Sequence, residues 1–205
     1  MSQETGDRSN GYDAIAADLI AGRDRSNVGV STVRTWARSL PVGASILDLG
    51  CGHGVPISAA LMDDGFIVYG VDASPHLMAA FRGRFPQANV ACEAAEDSTF
   101  FGRTFDGIIA VDLLFLLPAE AQRKLIHRVA LALKPRARFL FTAPTQCLTW
   151  ADVLTGRQSL SLGDETYKAI LLEAGLFLVD EYVDEGRNHY YDSAKEQGRG
   201  EPTAV

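Results

Sequence analysis

Three glycines at alternate positions, Gly50, Gly52 and Gly54, follow a short apolar run, Ser45 to Leu49, that carries an acid at Asp48. The run reads as a buried strand, and the amphipathic stretch Val55 to Met62 reads as the helix after it. Glycines between strand and helix let a ligand approach the backbone closely. A second acid, Asp72, ends the next apolar run, Phe66 to Val71. A carboxylate there can take both hydroxyls of a ribose. A nucleotide-like cofactor over the C-terminal edge of a sheet is therefore expected. A dinucleotide site wants G-x-G-x-x-G and helix N-terminal NH groups for a pyrophosphate. Here the spacing is G-x-G-x-G, followed by Val55, Pro56 and Ile57, which suits a ligand without phosphate.

The elements that must hold these residues follow in order. Tyr12, Ile15, Ala16, Leu19 and Ile20 recur at helical spacing, and Val33, Trp36, Ala37 and Leu40 mark a second helix. Residues 11–42 thus read as a helical cap on one end of the cleft. Ser74-Pro75 is an N-cap and first-turn pair opening a helix. Short strands are expected over 89–92, 105–111 and 138–143, with a long helix from Pro118 to the stop at Lys134-Pro135. Residues 144–163 form a long connection of the kind that is often functional. A helix over 164–174 precedes two strands, 177–184 and 189–193, joined by a tight turn at Gly186. Strands alternating with helices imply an α/β, doubly wound, mostly parallel sheet of seven strands with helices on both faces and a terminal antiparallel hairpin. Residues 11–195 make one domain; 1–10 and 196–205 read as disordered tails.

Length and charge narrow the partners. The chain has 205 residues and a formal net charge of −7. Phosphate backbones require a basic face, so nucleic acid is not expected as a partner. No apolar run approaches the roughly 20 residues of a membrane helix, and Met1 to Asn10 lacks a signal core. The three cysteines lack metal-ligand spacing, so a reducing cytoplasm and no metal are expected. A monomer or homodimer acting on a small molecule fits these bounds.

D-L-G-C-G-H-G at 48–54, the acid of V-Y-G-V-D-A-S, and F-D-G-I-I-A-V-D before the long helix resemble the class I S-adenosylmethionine-dependent methyltransferases. The resemblance covers roughly 43–195 and implies their Rossmann-like fold. It implies that Gly50, Gly52 and Gly54, with Cys51 between them as a packing residue, meet the methionine part of S-adenosyl-L-methionine. Asp48 would reach its amino group, Asp72 the ribose hydroxyls, and Ala73 the adenine. The loop after the third strand is Glu93-Ala-Ala-Glu-Asp97, where the family often has Gly-Asp at its start. The adenine contact is accordingly assigned to Ala95 and Glu96. The carbonyl of Val111 would meet the cofactor amine. Tyr12 could close over the sulfonium by a cation–π contact, with core packing as the alternative.

Methyl transfer is an in-line displacement at an activated carbon, so the protein must align the partners and exclude water. The acceptor atom is expected to be O or N of a small molecule, leaving S-adenosyl-L-homocysteine. A protein or RNA acceptor, or a non-catalytic cofactor-binding module, is the competing reading. Two groups at the C-terminal edge could take a proton: Asp112, a partial match to the family pattern, and His189, whose ordinary pKa suits that task. Substrate contacts are expected at Phe115, at Tyr191 on the same strand face as His189, and at Trp150 and Arg157 in the 144–163 cover. Arg157 would meet an anionic group or pair with Asp152.

Overall fold

The computed structural model describes residues 7–197; of the tails expected at 1–10 and 196–205, residues 1–6 and 198–205 lie outside them. One sheet contains β1 (Ser45–Leu49), β2 (Ile67–Asp72), β3 (Asn89–Cys92), β4 (Phe105–Ala110), β5 (Leu133–Thr142), β8 (Leu176–Val183) and β9 (His189–Lys195). Their order is β3-β2-β1-β4-β5-β9-β8. Strands β1 to β5 pair in parallel. The last strand, β9, runs antiparallel to both neighbours and slots between β5 and β8, leaving β8 at the edge. A separate antiparallel hairpin pairs β6 (Cys147–Ala151) with β7 (Gln158–Leu162). The helices are α1 (Ala16–Arg23), α2 (Val30–Ala37), α3 (Ile57–Asp63), α4 (Pro75–Arg84), α5 (Ala119–Ala132) and α6 (Asp164–Glu173). Among the described residues no helix is long and apolar enough to cross a membrane.

Strand β1 is buried along its whole length, as expected of a strand covered on both faces. Alternation sends its side chains to two cores. Leu47 and Leu49 join Leu125, Val129 and Ile170 of α5 and α6. Ile46 joins Trp36, Ile57 and Leu61 of α2 and α3. At α4, Ser74 caps the helix by accepting from the Leu77 amide at 3.1 Å, as its type predicts.

Three local expectations change. Residues 7–10 are an Asx-type turn rather than tail: Asp7 accepts from the Ser9 amide at 2.9 Å and from the Gly11 amide at 2.9 Å. The 144–163 connection is the β6–β7 hairpin. Its β7 strand buries Ser159 and Ser161 while Leu160 stays half-buried, so hydrophobic alternation does not announce it. Ser161 is satisfied by donating to the Pro144 carbonyl at 2.6 Å. The 11–42 cap divides: α2 belongs to the core, and only α1 and its flanks reach the cleft.

Candidate active site

A cavity of about 550 Å³ opens over the C-terminal ends of β1, β2 and β4. Strand order reverses between β1 and β4, the place where open α/β sheets bind ligands. Its floor is the glycine turn. The Gly50 amide donates to the Val71 carbonyl at 2.8 Å, folding the turn over the end of β2. Gly52 has φ +56°, and a Cβ added there would meet nothing within 4 Å. Its backbone therefore faces open space in the cavity wall. Gly54 differs: a Cβ would lie 2.7 Å from the Phe81 ring. It is glycine to let α4 approach, and it does not line the cavity.

Two carboxylates stand on this floor. Asp72 accepts from the Gly52 amide at 2.9 Å and from the Ser74 amide at 2.8 Å, one on each oxygen. Each oxygen keeps a second lone pair, a set that matches two neighbouring hydroxyl donors. Burial raises the Asp72 pKa, and the two amides pull it back. Asp48 is buried on β1 and accepts from the Ser58 hydroxyl at 2.5 Å. Burial pushes its pKa up to about 7, with the nearby Asp72 charge adding to the shift. A cationic ligand group beside Asp48 would restore its charged form.

One end of the cavity, beside the close of β2, is lined by Ala73, Ala94, Ala95 and Glu96. At the other end, Val111 and Asp112 leave β4. Asp112 has φ +56°, a strained conformation for a non-glycine residue. Its amide donates to Thr142 Oγ1 at 2.7 Å, and its carboxylate takes Arg23 Nη2 at 2.7 Å. Phe115, in the 3₁₀ turn Leu114–Leu116, supplies an apolar wall. Over the top, Tyr12 donates to Asp152 at the hairpin tip at 3.0 Å. Desolvation and the adjacent Asp152 charge raise the Tyr12 pKa, so its hydroxyl keeps its proton.

The cavity thus brings together Tyr12, Asp48, Gly50, Cys51, Gly52, Asp72, Ala73, Ala95, Glu96, Val111, Asp112 and Phe115. Besides Gly54, four expected site residues stand elsewhere. His189 Nε2 lies 3.0 Å from Glu181, and its ring packs edge-on against Tyr191. Strand β9 is two places from β4 in the sheet, roughly 10 Å at the usual strand spacing. Tyr191 is buried, stacked on Phe141 with ring centres 4.8 Å apart. Trp150 backs Phe115 at 5.5 Å instead of lining the cavity. Arg157 pairs with Asp7 at 2.9 Å, tying the hairpin to the N-terminal turn, and neither meets the cavity nor pairs with Asp152.

Sequence reasoning missed Arg23, whose partner Asp112 is 89 residues away. His53, between two of the turn's glycines, is buried, and its Nε2 lies 3.0 Å from Asp24. A basic residue ending an amphipathic helix was the available signal for Arg23, and it did not name a partner.

Residues 46–136 match the model of a methyltransferase domain. A curated relative, an uncharacterised methyltransferase of Synechocystis sp., is 34% identical over 114 residues, which are 53% of this chain and 52% of that protein. The chain spans about half the length of this relative. Among solved structures, the 1,6-didemethyltoxoflavin-N1-methyltransferase of Burkholderia thailandensis, with bound 1,6-didemethyltoxoflavin and S-adenosylhomocysteine, is similar at 20% identity and a TM-score of 0.67, covering 92% of this chain and 91% of that one. The CcbJ methyltransferase of Streptomyces caelestis is similar at 15% identity and a TM-score of 0.71, covering 93% and 98%. At these identities the likeness shows the fold.

Proposed function

We propose that this chain, whose residues 46–136 match a methyltransferase domain, is a class I S-adenosylmethionine-dependent methyltransferase that methylates an O or N atom of a small molecule by in-line displacement. One observation carries the reading. Asp72, with one free lone pair on each oxygen, stands beside the open face of Gly52 at the switch point of the sheet. That pair of acceptors fits a ribose diol next to an extended chain with no phosphate. The relative with bound S-adenosylhomocysteine supports the same ligand.

The bound cofactor would supply a methyl group activated on a sulfonium. The chain's own residues do the rest. Asp72 accepts the two ribose hydroxyls. Ala73, Ala95 and Glu96 bound the adenine. Gly50, Cys51 and Gly52 leave room for the methionine chain, and Asp48 and the Val111 carbonyl face its ammonium. Tyr12, fastened to Asp152, closes the mouth and excludes water. Asp112 is the group assigned to hold or take the acceptor proton, and Arg23 fixes its carboxylate. His189 is not assigned that role, because its ring faces Glu181.

The meeting of the segment before α1 with the hairpin tip over the cavity favours a small acceptor over a protein or RNA. The three cysteines are free, which supports a cytoplasmic setting. Calorimetric titration with S-adenosylmethionine and S-adenosylhomocysteine tests the proposal. Saturable binding is expected, weakened roughly tenfold or more by Asp72→Ala. A folded wild-type chain that binds neither ligand overturns it.

A further inference from the structure

The loop that bounds the Ala73–Glu96 end of the cavity, assigned above to adenine, is held from below by the Arg128 side chain. Arg128, on α5, points its guanidinium at three carbonyl oxygens of one loop. It donates to Ala95 at 3.2 Å and to Glu96 through Nη1, and to Ser98 through Nη2. No carboxylate pairs with it among the described residues; its partners are backbone carbonyls, and its guanidinium carbon lies 4.6 Å from the centre of the Phe100 ring. Ala95 and Glu96 are the same residues that face the cavity. Glu96 also meets Arg8 at the rim at 2.8 Å.

We infer that Arg128 is a positioning residue that sets base recognition at this end of the cavity. This rests on the proposed cofactor reading and adds to it. The physical argument is one of geometry. A short loop between β3 and the 100–102 turn cannot hold three carbonyls convergent without a donor, because parallel carbonyl dipoles repel. Phe100 and Phe101 take φ of +51° and +56°, so the chain doubles back at strained positions and brings Phe100 under the guanidinium. A planar fork with five donors reaches three acceptors spread along a loop, whereas the three donors of an ammonium radiate from one nitrogen. With the carbonyls turned down onto Arg128, the opposite side of the loop is presented to the cavity in one fixed register. Recognition of a base edge requires that register, whereas Asp72 and the glycine turn hold the ribose and amino-acid end independently of it.

The experiment compares two ligands that differ only in the base: S-adenosylhomocysteine and its deaminated analogue S-inosylhomocysteine. Both are titrated calorimetrically into the full chain, Arg128→Lys and Arg128→Ala, and melting temperatures are recorded to establish folding. The wild type is expected to prefer the adenine ligand by roughly tenfold or more. In both variants the preference is expected to collapse to within about twofold, chiefly through weaker adenine-ligand binding. Arg128→Lys keeps the charge and serves if the alanine variant does not fold. An unchanged preference in a folded variant, equal weakening of both ligands, or full rescue by lysine overturns the inference while leaving the cofactor reading intact. A folded wild type that binds neither ligand overturns both.

Discussion

Helices α1 and α2 have the same length, eight residues each, and follow one another before the first strand, yet they are attached to the molecule by opposite means. Helix α2 buries Val33, Trp36 and Ala37. Gly107 of β4 has no side chain where one would press on Trp36, 2.8 Å from an added Cβ. The indole also donates to the buried Asp192 at 3.2 Å. Helix α1 buries only Ala16. Its flanks are fastened instead by polar contacts. Asp13 accepts from Ser74 at 2.5 Å and from the His76 amide at 3.0 Å, acting as a cap for α4 from outside. Asp24 takes Arg84 at 2.7 and 2.9 Å and His53 at 3.0 Å. Arg23 and Tyr12 reach Asp112 and Asp152. Apolar burial cannot be exchanged for water without a large cost, whereas polar contacts can be replaced by water at a small net one. The difference teaches that a foundation and a roof can be made from adjacent helices of the same length by changing only what their inner faces carry.

The comparison can be broken at either helix. The largest effect is expected from Trp36→Ala, which should destabilise the chain by about 3–5 kcal/mol in urea unfolding, as for other buried aromatic truncations. A loss below about 1 kcal/mol would remove α2 from the core. Next comes the acid beneath the roof. The folded-state pKa of Asp48 is raised to about 7 from an ordinary 3.8. The folded state therefore binds a proton more tightly than the unfolded one, and this contribution is lost as pH rises from about 4 to 7. Asp48→Asn should flatten the fall in stability over that window, read by urea midpoints at pH 5 and 7.

A smaller effect is expected at α1. The folded pKa of Asp13 is lowered to about 2, first by the Ser74 hydroxyl and then by the His76 amide. Its contribution is present above about 4 and is lost as pH falls toward 2. Asp13→Ala should cost about 1 kcal/mol, the usual range for a capping residue. Hydrogen exchange in Ala16–Arg23 should speed up in that variant, while exchange in Val30–Ala37 stays unchanged. The smallest effect sharpens the contrast from the other side. Arg34, on the outer face of α2, pairs with Asp64 at 2.9 Å in a solvent-exposed bridge. Arg34→Ala should change stability by less than about 1 kcal/mol.

What could be read before any coordinates was whatever depended on near neighbours in the chain. The glycine turn, the acid ending β2 and the Ser74 cap are set by residues within a few positions of each other. The parallel sheet and its closing antiparallel strand followed from alternation and a tight turn. The errors have equally physical sources. His189 was placed at the correct edge, because strand direction follows from topology. Its lateral distance from β4 depends on strand order, which alternation does not fix. The β6–β7 hairpin hides its serines inside and so lacks the expected pattern. Helices α1 and α2 look alike as amphipathic stretches; what separates them is the presence of a matching surface under one and not under the other.

The sequence by itself determined the turn at 50–54 and the two acids that flank it, since backbone conformation at glycine and strand-end position are local properties. Only the tertiary structure decided which polar groups meet over the cavity and behind its wall. Arg23 with Asp112, Tyr12 with Asp152 and Arg128 with the 95–98 carbonyls are separated by 89, 140 and 30–33 residues. Pairings of that kind have no local signature, because any of several acids or carbonyls would satisfy the same donor, and packing chooses among them.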